Sequence, residues 1–217
     1  MNTLSTLLKS SVAFAAFAAL GTAQATITVY TTQFAFLGAS GEAATDTFED
    51  LGAKSFAGPV DRTVGPYGYT ASAGTSSTDF RIAGAFNVWL TTAAPEDTIT
   101  FDGFTGGVSA VGGRFFGSDS AGHIDPGQSL MLTATDASGS VSQTLVDAHR
   151  FSFLGFVSDN AITSLTVSAV QAGGGVFPTV NNLVLASASA VPEPESYALL
   201  LAGLAGGFLL LKRRRPE

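Results

Sequence analysis

Residues 130–146 read LMLTAT-DASG-SVSQTLV, and this stretch indicates the fold class more clearly than any other part of the chain. Apolar residues alternate with Ser and Thr on both sides of the loop, as in strands that bury one face. Asp136 opens the loop and supplies a side-chain hydrogen bond, while Gly139 closes it and tolerates positive φ. The stretch therefore predicts a β-hairpin.

Similar runs recur on both sides of this hairpin. They are short, rich in Val, Ile, Thr and Phe, and separated by turn residues, and no long stretch sustains a helical period. Further strands are predicted at residues 27–30, 45–48, 67–73, 80–82, 88–91, 98–101, 108–116, 151–157, 161–168 and 179–186. A short helix is predicted at residues 32–39. The pattern predicts an all-β domain over residues 26–190, an antiparallel two-sheet β-sandwich of jelly-roll type.

Composition narrows the range of functions. The 217 residues include no Cys, which excludes disulfides, thiolate zinc sites and cysteine nucleophiles. Residues 26–191 hold 14 acidic and five basic residues, an excess of nine negative charges. Because so acidic a body repels a phosphate backbone, nucleic acid is not an expected partner.

The first 25 residues have the order of a secretory signal peptide. Lys9 precedes the apolar run VAFAAFAAL at residues 12–20, which is too short to span a bilayer. Ala23 and Ala25 place small residues at positions −3 and −1 of a cleavage site. We therefore expect signal peptidase to remove residues 1–25 and the chain to be exported.

The C-terminal residues 191–217 have three parts in a fixed order. Pro192, Glu193 and Pro194 form a stiff, extended spacer, because each proline fixes φ and withholds a backbone donor. Residues 197–211 carry no charge and predict a transmembrane helix of about 22 Å, short of a hydrocarbon core of about 30 Å. The membrane anchor is completed by four basic residues, which the positive-inside rule keeps cytoplasmic: Lys212, Arg213, Arg214 and Arg215.

This tail resembles the PEP-CTERM sorting signal of proteins that Gram-negative bacteria export. The resemblance implies that an exosortase, a membrane transpeptidase, recognises Pro192, Glu193 and Pro194 and removes the tail. It also implies an intermediate anchored in the inner membrane by residues 197–215, followed by delivery to the cell surface or the extracellular matrix. Pro216 and Glu217 depart from the family, which often ends at the basic cluster. A plain tail-anchored protein is the alternative.

The body also resembles the β-sandwich of many PEP-CTERM proteins and, more loosely, jelly-roll carbohydrate-binding modules. The resemblance is carried by residues 48–50 (FED), 108–115 (VSAVGGRF), 153–156 (FLGF), 162–167 (ITSLTV) and 181–182 (NN). It implies a structural Ca²⁺ held by Glu49 near the first strand and by Asn181 and Asn182 in the last. The two Asn residues stand where such modules often have Asp, and their neutral oxygens would weaken the site. Alternatively, Glu49 and Asp50 cap a turn.

Aromatic residues supply candidates for sugar binding, because sugar sites stack a ring on an exposed aromatic and surround it with polar groups. The candidates are Trp89, Tyr67 and Tyr69, with Arg81 and Asn87 nearby. The run NVWL at residues 87–90 is equally compatible with a buried Trp89.

Catalytic motifs are missing from the sequence. It has no G-x-S-x-G elbow, and His123 and His149 lie in loops without a located nucleophile or orienting acid. We therefore expect a non-enzymatic protein of the surface or exopolysaccharide matrix, with a structural or adhesive role in biofilm and weak carbohydrate binding. The alternative is an extracellular glycan hydrolase or lyase on the same scaffold, which would need two carboxylates facing each other across a groove.

Overall fold

The computed structural model describes residues 26–52, 55–74, 76–84, 87–171 and 175–188, together with residue 203. The helix α1 spans Gln33–Ala39. The strands are β1 (Ile27–Tyr30), β2 (Ser40–Asp46), β3 (Ser55–Ala57), β4 (Val60–Val64), β5 (Tyr67–Gly74), β6 (Asp79–Ala83), β7 (Trp89–Thr92), β8 (Thr98–Thr105), β9 (Ala110–Ser118), β10 (Ile124–Asp125), β11 (Gln128–Asp136), β12 (Gly139–Ala148), β13 (Phe153–Ser158), β14 (Ile162–Val170) and β15 (Phe177–Ala188).

Within the described residues these strands form two antiparallel sheets, so the predicted all-β sandwich is confirmed. The larger sheet has nine strands, seven of them in the order β1-β13-β9-β15-β7-β6-β3, with β10 paired to β9 and β2 paired to β15. The smaller sheet has six strands in the order β12-β11-β14-β8-β5-β4. Many neighbours in each sheet are far apart in sequence, so distant segments of the chain meet on one surface.

The predicted hairpin is confirmed as β11 and β12, which pair along their length. Asp136 accepts hydrogen bonds from the backbone N–H groups of Ser138 and Gly139, at 2.6 and 3.0 Å, and Gly139 has φ of 149°. The Ser158 hydroxyl also donates to Asp136 at 2.5 Å. This hydrogen bond lowers the pKa of Asp136 despite burial, with the two backbone donors adding to the effect. The turn is thus held by a carboxylate.

The predicted short helix is confirmed as α1. The Thr32 hydroxyl caps its N-terminus by accepting from the Ala35 N–H at 3.2 Å. The strand predicted at residues 45–48 is wrong in its position, because β2 begins at Ser40 and ends at Asp46. The Asp46 side chain accepts from the Phe48 N–H at 2.9 Å, and Phe48 has φ of 61°, so the chain turns there.

The main core lies between the facing sides of the two sheets, and Phe fills much of it. Seven Phe side chains in the described part are fully buried: Phe36, Phe48, Phe80, Phe101, Phe115, Phe116 and Phe156. Burial of one such ring contributes about 1.5–3 kcal/mol relative to exposure. Phe36 belongs to a second, smaller core outside the sandwich.

Helix α1 covers part of the outer face of the larger sheet and forms this second core. Phe36 packs on Phe153, with ring centroids 5.5 Å apart, and on Ala110 and Val184. Gly155 makes the close approach possible, because a Cβ there would meet the Phe36 ring at 2.4 Å. The helix thereby covers one end of β9 and β13.

Candidate functional site: a groove across the larger sheet

The outer face of the larger sheet carries the candidate site. Side chains alternate along a strand, so Leu90 enters the core while Trp89 faces outward on β7. On β9, Arg114 and Phe116 alternate with Phe115 and line a cleft on the outer face, although Phe116 is fully buried there and packs with the main core. Four neighbouring strands, β7, β15, β9 and β13, therefore contribute to one surface.

A β-bulge at Asn182 sets the outward face of β15. Asn182 has φ of 53°, a left-handed conformation that Asn tolerates better than most residues. The pairing with β9 shifts between Asn181 and Val184. Val180 and Leu183 both enter the core as a result, and Asn181 turns towards the outer face.

Three adjoining clefts make up what we call the groove. The Trp89 cleft has a volume of about 820 Å³, the middle cleft about 220 Å³ and the Phe151 cleft about 430 Å³. The first two share Trp89 and Ile124, and the last two share Arg114 and Phe151. The three clefts therefore lie side by side from β6 and β7 towards the start of β13.

Trp89 stands between the first two clefts. Its ring packs edge-on against Phe116, with centroids 5.6 Å apart and an interplanar angle of 80°. The indole Nε1 is buried and has no hydrogen-bond partner. The side chain as a whole is only half-buried, so part of the ring is open to the groove.

The wall of the Trp89 cleft is a loop held by one carboxylate. Asp119 Oδ1 accepts from the backbone N–H groups of His123 and Ala121 at 2.8 and 2.9 Å. The backbone hydrogen bond from His123 lowers the pKa of Asp119. Arg81 donates to the Ser120 carbonyl at 2.8 Å, which ties this loop to β6.

The structure brings together Glu49 and Asn181, two of the residues predicted to hold Ca²⁺. Glu49 Oε1 accepts from the Val88 N–H at 2.9 Å, and Asn181 Nδ2 donates to the Val88 carbonyl at 2.5 Å. Asn181 Nδ2 also donates to Asn87 Oδ1 at 2.9 Å. Both side chains thus hold the strand that carries Trp89, while Asn182 forms the bulge. No group of three or more His, Asp or Glu residues in the described part of the chain could hold a metal ion, and the Ca²⁺ site stays a prediction.

Tyr67 and Tyr69 do not lie in the groove, and this corrects their assignment as sugar platforms. Both point into the sandwich and are only 2% and 3% exposed. Tyr67 donates its hydroxyl to the Glu42 carbonyl at 2.6 Å, and Tyr69 donates to Asp46 Oδ2 at 2.7 Å. The sequence already indicated their burial, because Tyr67, Tyr69 and Ala71 are spaced two residues apart and therefore share the buried face of β5.

The sequence did not predict a cationic and aromatic cluster where the middle cleft meets the Phe151 cleft. Phe151 is 59% exposed and lies against two guanidinium groups. The Arg150 Cζ atom is 4.4 Å from the ring centroid and the Arg114 Cζ atom is 5.9 Å from it. His149 contacts the same ring edge-on at 6.4 Å. The cluster forms because Phe153 on β13 pairs with Arg114 on β9.

A second arginine cluster, also missed, joins the two sheets. Arg62 on β4 forms a fork with Asp46, from Nε to Oδ2 at 2.9 Å and from Nη2 to Oδ1 at 2.7 Å. It forms another with Asp50 at 2.8 and 2.7 Å. Burial acts to lower the pKa of Arg62, but the hydrogen bonds to Asp50 and Asp46 outweigh it and raise that pKa. Burial, followed by the charge of Asp46, raises the pKa of Tyr69.

The predicted sorting residues lie outside the described residues. They are Ala23, Ala25, Pro192, Glu193, Pro194, the segment 197–211 and the basic residues 212–215. The described residues include no helix whose length and apolar character would let it cross a bilayer. No known protein family and no curated protein matched the sequence.

Proposed function

We propose that this chain is an exported protein of the bacterial surface or exopolysaccharide matrix, and that it binds polysaccharide in the groove. Its role would be structural or adhesive. The observation that carries the binding role is the open groove with the half-buried ring of Trp89 lining its first two clefts. The body would be a jelly-roll-like sandwich between a cleaved signal peptide and a PEP-CTERM tail.

The lining of the Trp89 cleft suits a sugar ring. The face of an indole packs against the C–H groups of a pyranose, and polar groups at the rim fix the orientation of its hydroxyls. Arg81, Glu49 and His123 supply such groups around Trp89. A groove that continues past one sugar also accepts the interior of a polymer, where many weak contacts add up through multivalency.

The distribution of carboxylates favours binding over hydrolysis. Glu49 is the only Asp or Glu side chain among the described residues that line the three clefts. It already accepts the Val88 N–H. Glycosidases of the common two-carboxylate type need a second acid across the scissile bond. The alternative of a hydrolase or lyase is therefore the weaker proposal.

The sorting part of the proposal follows from the sequence. Signal peptidase and an exosortase would be the processing partners, with Pro192, Glu193 and Pro194 as the recognition element and residues 197–215 as a temporary membrane anchor. Intact-mass analysis of the protein from host cells and matrix tests this directly. A species from Thr26 to the 192–194 segment supports it, whereas a species that retains residues 197–217 contradicts it.

Binding is tested through the intrinsic fluorescence of Trp89, because the chain has a single Trp. Addition of exopolysaccharide extracted from the host should change the emission of this residue. The matched variants are Trp89→Ala and Phe34→Ala, since Phe34 is a 91% exposed aromatic on α1. In a sedimentation assay, Trp89→Ala should lose most binding and Phe34→Ala should keep it; equal binding by both would contradict the proposal.

A further inference from the structure

We propose that the groove is specific for an acidic polysaccharide, and that Arg114 and Arg150 bind the anionic substituent of a sugar unit beside Phe151. This inference rests on the proposed function and names the class of polymer. The shared chemistry is an oxyanion on a sugar ring, either a carboxylate or a sulfate ester.

The four arginines of the described residues differ in whether their guanidinium groups already have partners. Arg62 is held by two carboxylates, and Arg81 by the Ser120 carbonyl and the Phe177 ring. Within the described ranges, by contrast, neither the Arg114 nor the Arg150 side chain forms a hydrogen bond or an ion pair, and both guanidinium groups lie close to the ring of Phe151. Two guanidinium groups with free N–H donors thus converge on one site in a strongly acidic domain.

The aromatic ring of Phe151 lies against both Arg114 and Arg150. Phe151 keeps 59% of its surface exposed, although a large apolar side chain gains free energy on burial. Both guanidinium groups lie within 6 Å of its centroid, so the exposed ring lies beside a double positive charge. A sugar unit could pack its C–H edge on this ring while its oxyanion accepts N–H bonds from the guanidinium forks.

Charged side chains are unevenly distributed along the groove. Glu49 lies at the Trp89 end, whereas Arg114 and Arg150 both line the middle cleft. Arg81 lines the Trp89 cleft together with Glu49 and offsets its charge, whereas no Asp or Glu among the described residues lines the middle cleft, so an anionic unit is attracted most strongly beside Arg114 and Arg150. The net negative charge of the body opposes a densely charged polymer such as nucleic acid. A polysaccharide with separated charges needs only these two local partners.

The test measures Trp89 fluorescence of the full chain in a detergent without a sugar headgroup. The probes have widely spaced charges or none: polygalacturonate with most but not all carboxylates methyl-esterified, the full methyl ester, sparsely sulfated dextran sulfate and neutral dextran. The variant is Arg114→Gln with Arg150→Gln. The control is Thr105→Glu with Thr163→Glu, which changes net charge equally at two exposed positions of the smaller sheet. Arg150→Gln alone, at an exposed position, is the second variant should the double variant fail to fold.

We expect at least one anionic polymer to bind more tightly than its neutral counterpart. The double arginine variant should lose roughly tenfold or more of that affinity, as for loss of charge-assisted hydrogen bonds, and the control should lose much less. Preference for polygalacturonate identifies a carboxylate, and preference for dextran sulfate identifies a sulfate. Affinity for neutral dextran should stay within about twofold in all variants, because its contacts lie at Trp89.

The outcomes separate this inference from the proposed function. If anionic and neutral polymers bind equally, or if the control loses as much affinity as the arginine variant, the inference is overturned and the saccharide site at Trp89 stands. If none of the four probes or the host exopolysaccharide changes the fluorescence or cosediments, both are overturned.

Discussion

Two arginine clusters of this domain differ in whether carboxylates accompany the guanidinium group. The Arg62 side chain is 10% exposed and forms forks with Asp46 and Asp50 between the two sheets. Arg114 lies on the outer face of the larger sheet and Arg150 in the loop before β13; both guanidinium groups lie close to Phe151, and neither forms an ion pair in the described part of the chain. In the first cluster the charge of Arg62 is paired with the two carboxylates, so we assign it a structural role. The side chains of the second have no carboxylate partner among the described residues, which is why we propose that it binds a ligand.

Arg62→Ala should produce the largest effect, because it removes one partner of a buried ion pair. Asp46 is 4% exposed and would be left with an uncompensated charge. Loss of one partner of such a pair costs about 3–5 kcal/mol in the free energy of unfolding. Urea denaturation measures the change. A loss below about 1 kcal/mol would be typical of a surface ion pair and would contradict the structural role of Arg62.

Tyr69→Phe should have an intermediate effect. It removes the hydroxyl that donates to Asp46 at 2.7 Å, a hydrogen bond to a charged group worth about 1.5–3 kcal/mol. The raised pKa of Tyr69 adds a pH signature. Above about pH 10 the unfolded chain loses this proton while the folded chain keeps it, so stability falls as pH rises. Urea unfolding between pH 8 and 11 should show this fall reduced in the variant, and equal slopes would contradict it.

Asp50→Asn should cost less, because the Asp50 side chain is 69% exposed and solvent screens its pairing. The hydrogen bond from Arg62 lowers the pKa of Asp50 in the folded state. Its contribution is therefore present above the ordinary Asp pKa of about 3.9 and is lost as pH falls through the lower folded value. We expect a loss within about 1 kcal/mol at pH 7 that disappears in acid. Thermal melts from pH 2 to 7 test this, and a difference that grows in acid would contradict it.

Arg114→Gln with Arg150→Gln should have the smallest effect on folding. Neither guanidinium is part of an ion pair among the described residues, so the free energy of unfolding should change by no more than about 0.5 kcal/mol. The same urea experiment measures it beside Arg62→Ala. A loss comparable to that of Arg62→Ala would make both clusters structural and would remove the reason to assign the second to a ligand.

Local features of the fold were predictable because their causes lie close together in sequence. The hairpin needed only Asp136 and Gly139, and α1 needed only a capping Thr32 and a short apolar run. The inward alternation of Tyr67 and Tyr69 was also readable from β5 alone. The end of β2 was not, because it depends on how the Asp46 side chain turns back to the Phe48 N–H.

The site itself depends on pairings between distant segments. Arg114 meets Phe151 only through the register of β9 and β13, and Arg62 meets Asp46 only because β4 and β2 lie in different sheets that pack together. The bulge at Asn182 decides that Asn181 faces the groove, and one inserted residue reverses the alternation of a whole strand. The sequence identified Trp89 as a candidate for sugar binding, but it did not show whether the side chain faces the groove or the core.

The most direct test of the account is the footprint of the host exopolysaccharide on the protein, measured by hydrogen–deuterium exchange of the full chain with and without the polymer. We predict protection around residues 87–90, 114–124 and 149–153, three of the segments that contribute to the groove. Protection confined to the smaller sheet, or none at a polymer concentration that cosediments the protein, would contradict the assignment of this groove as the binding site.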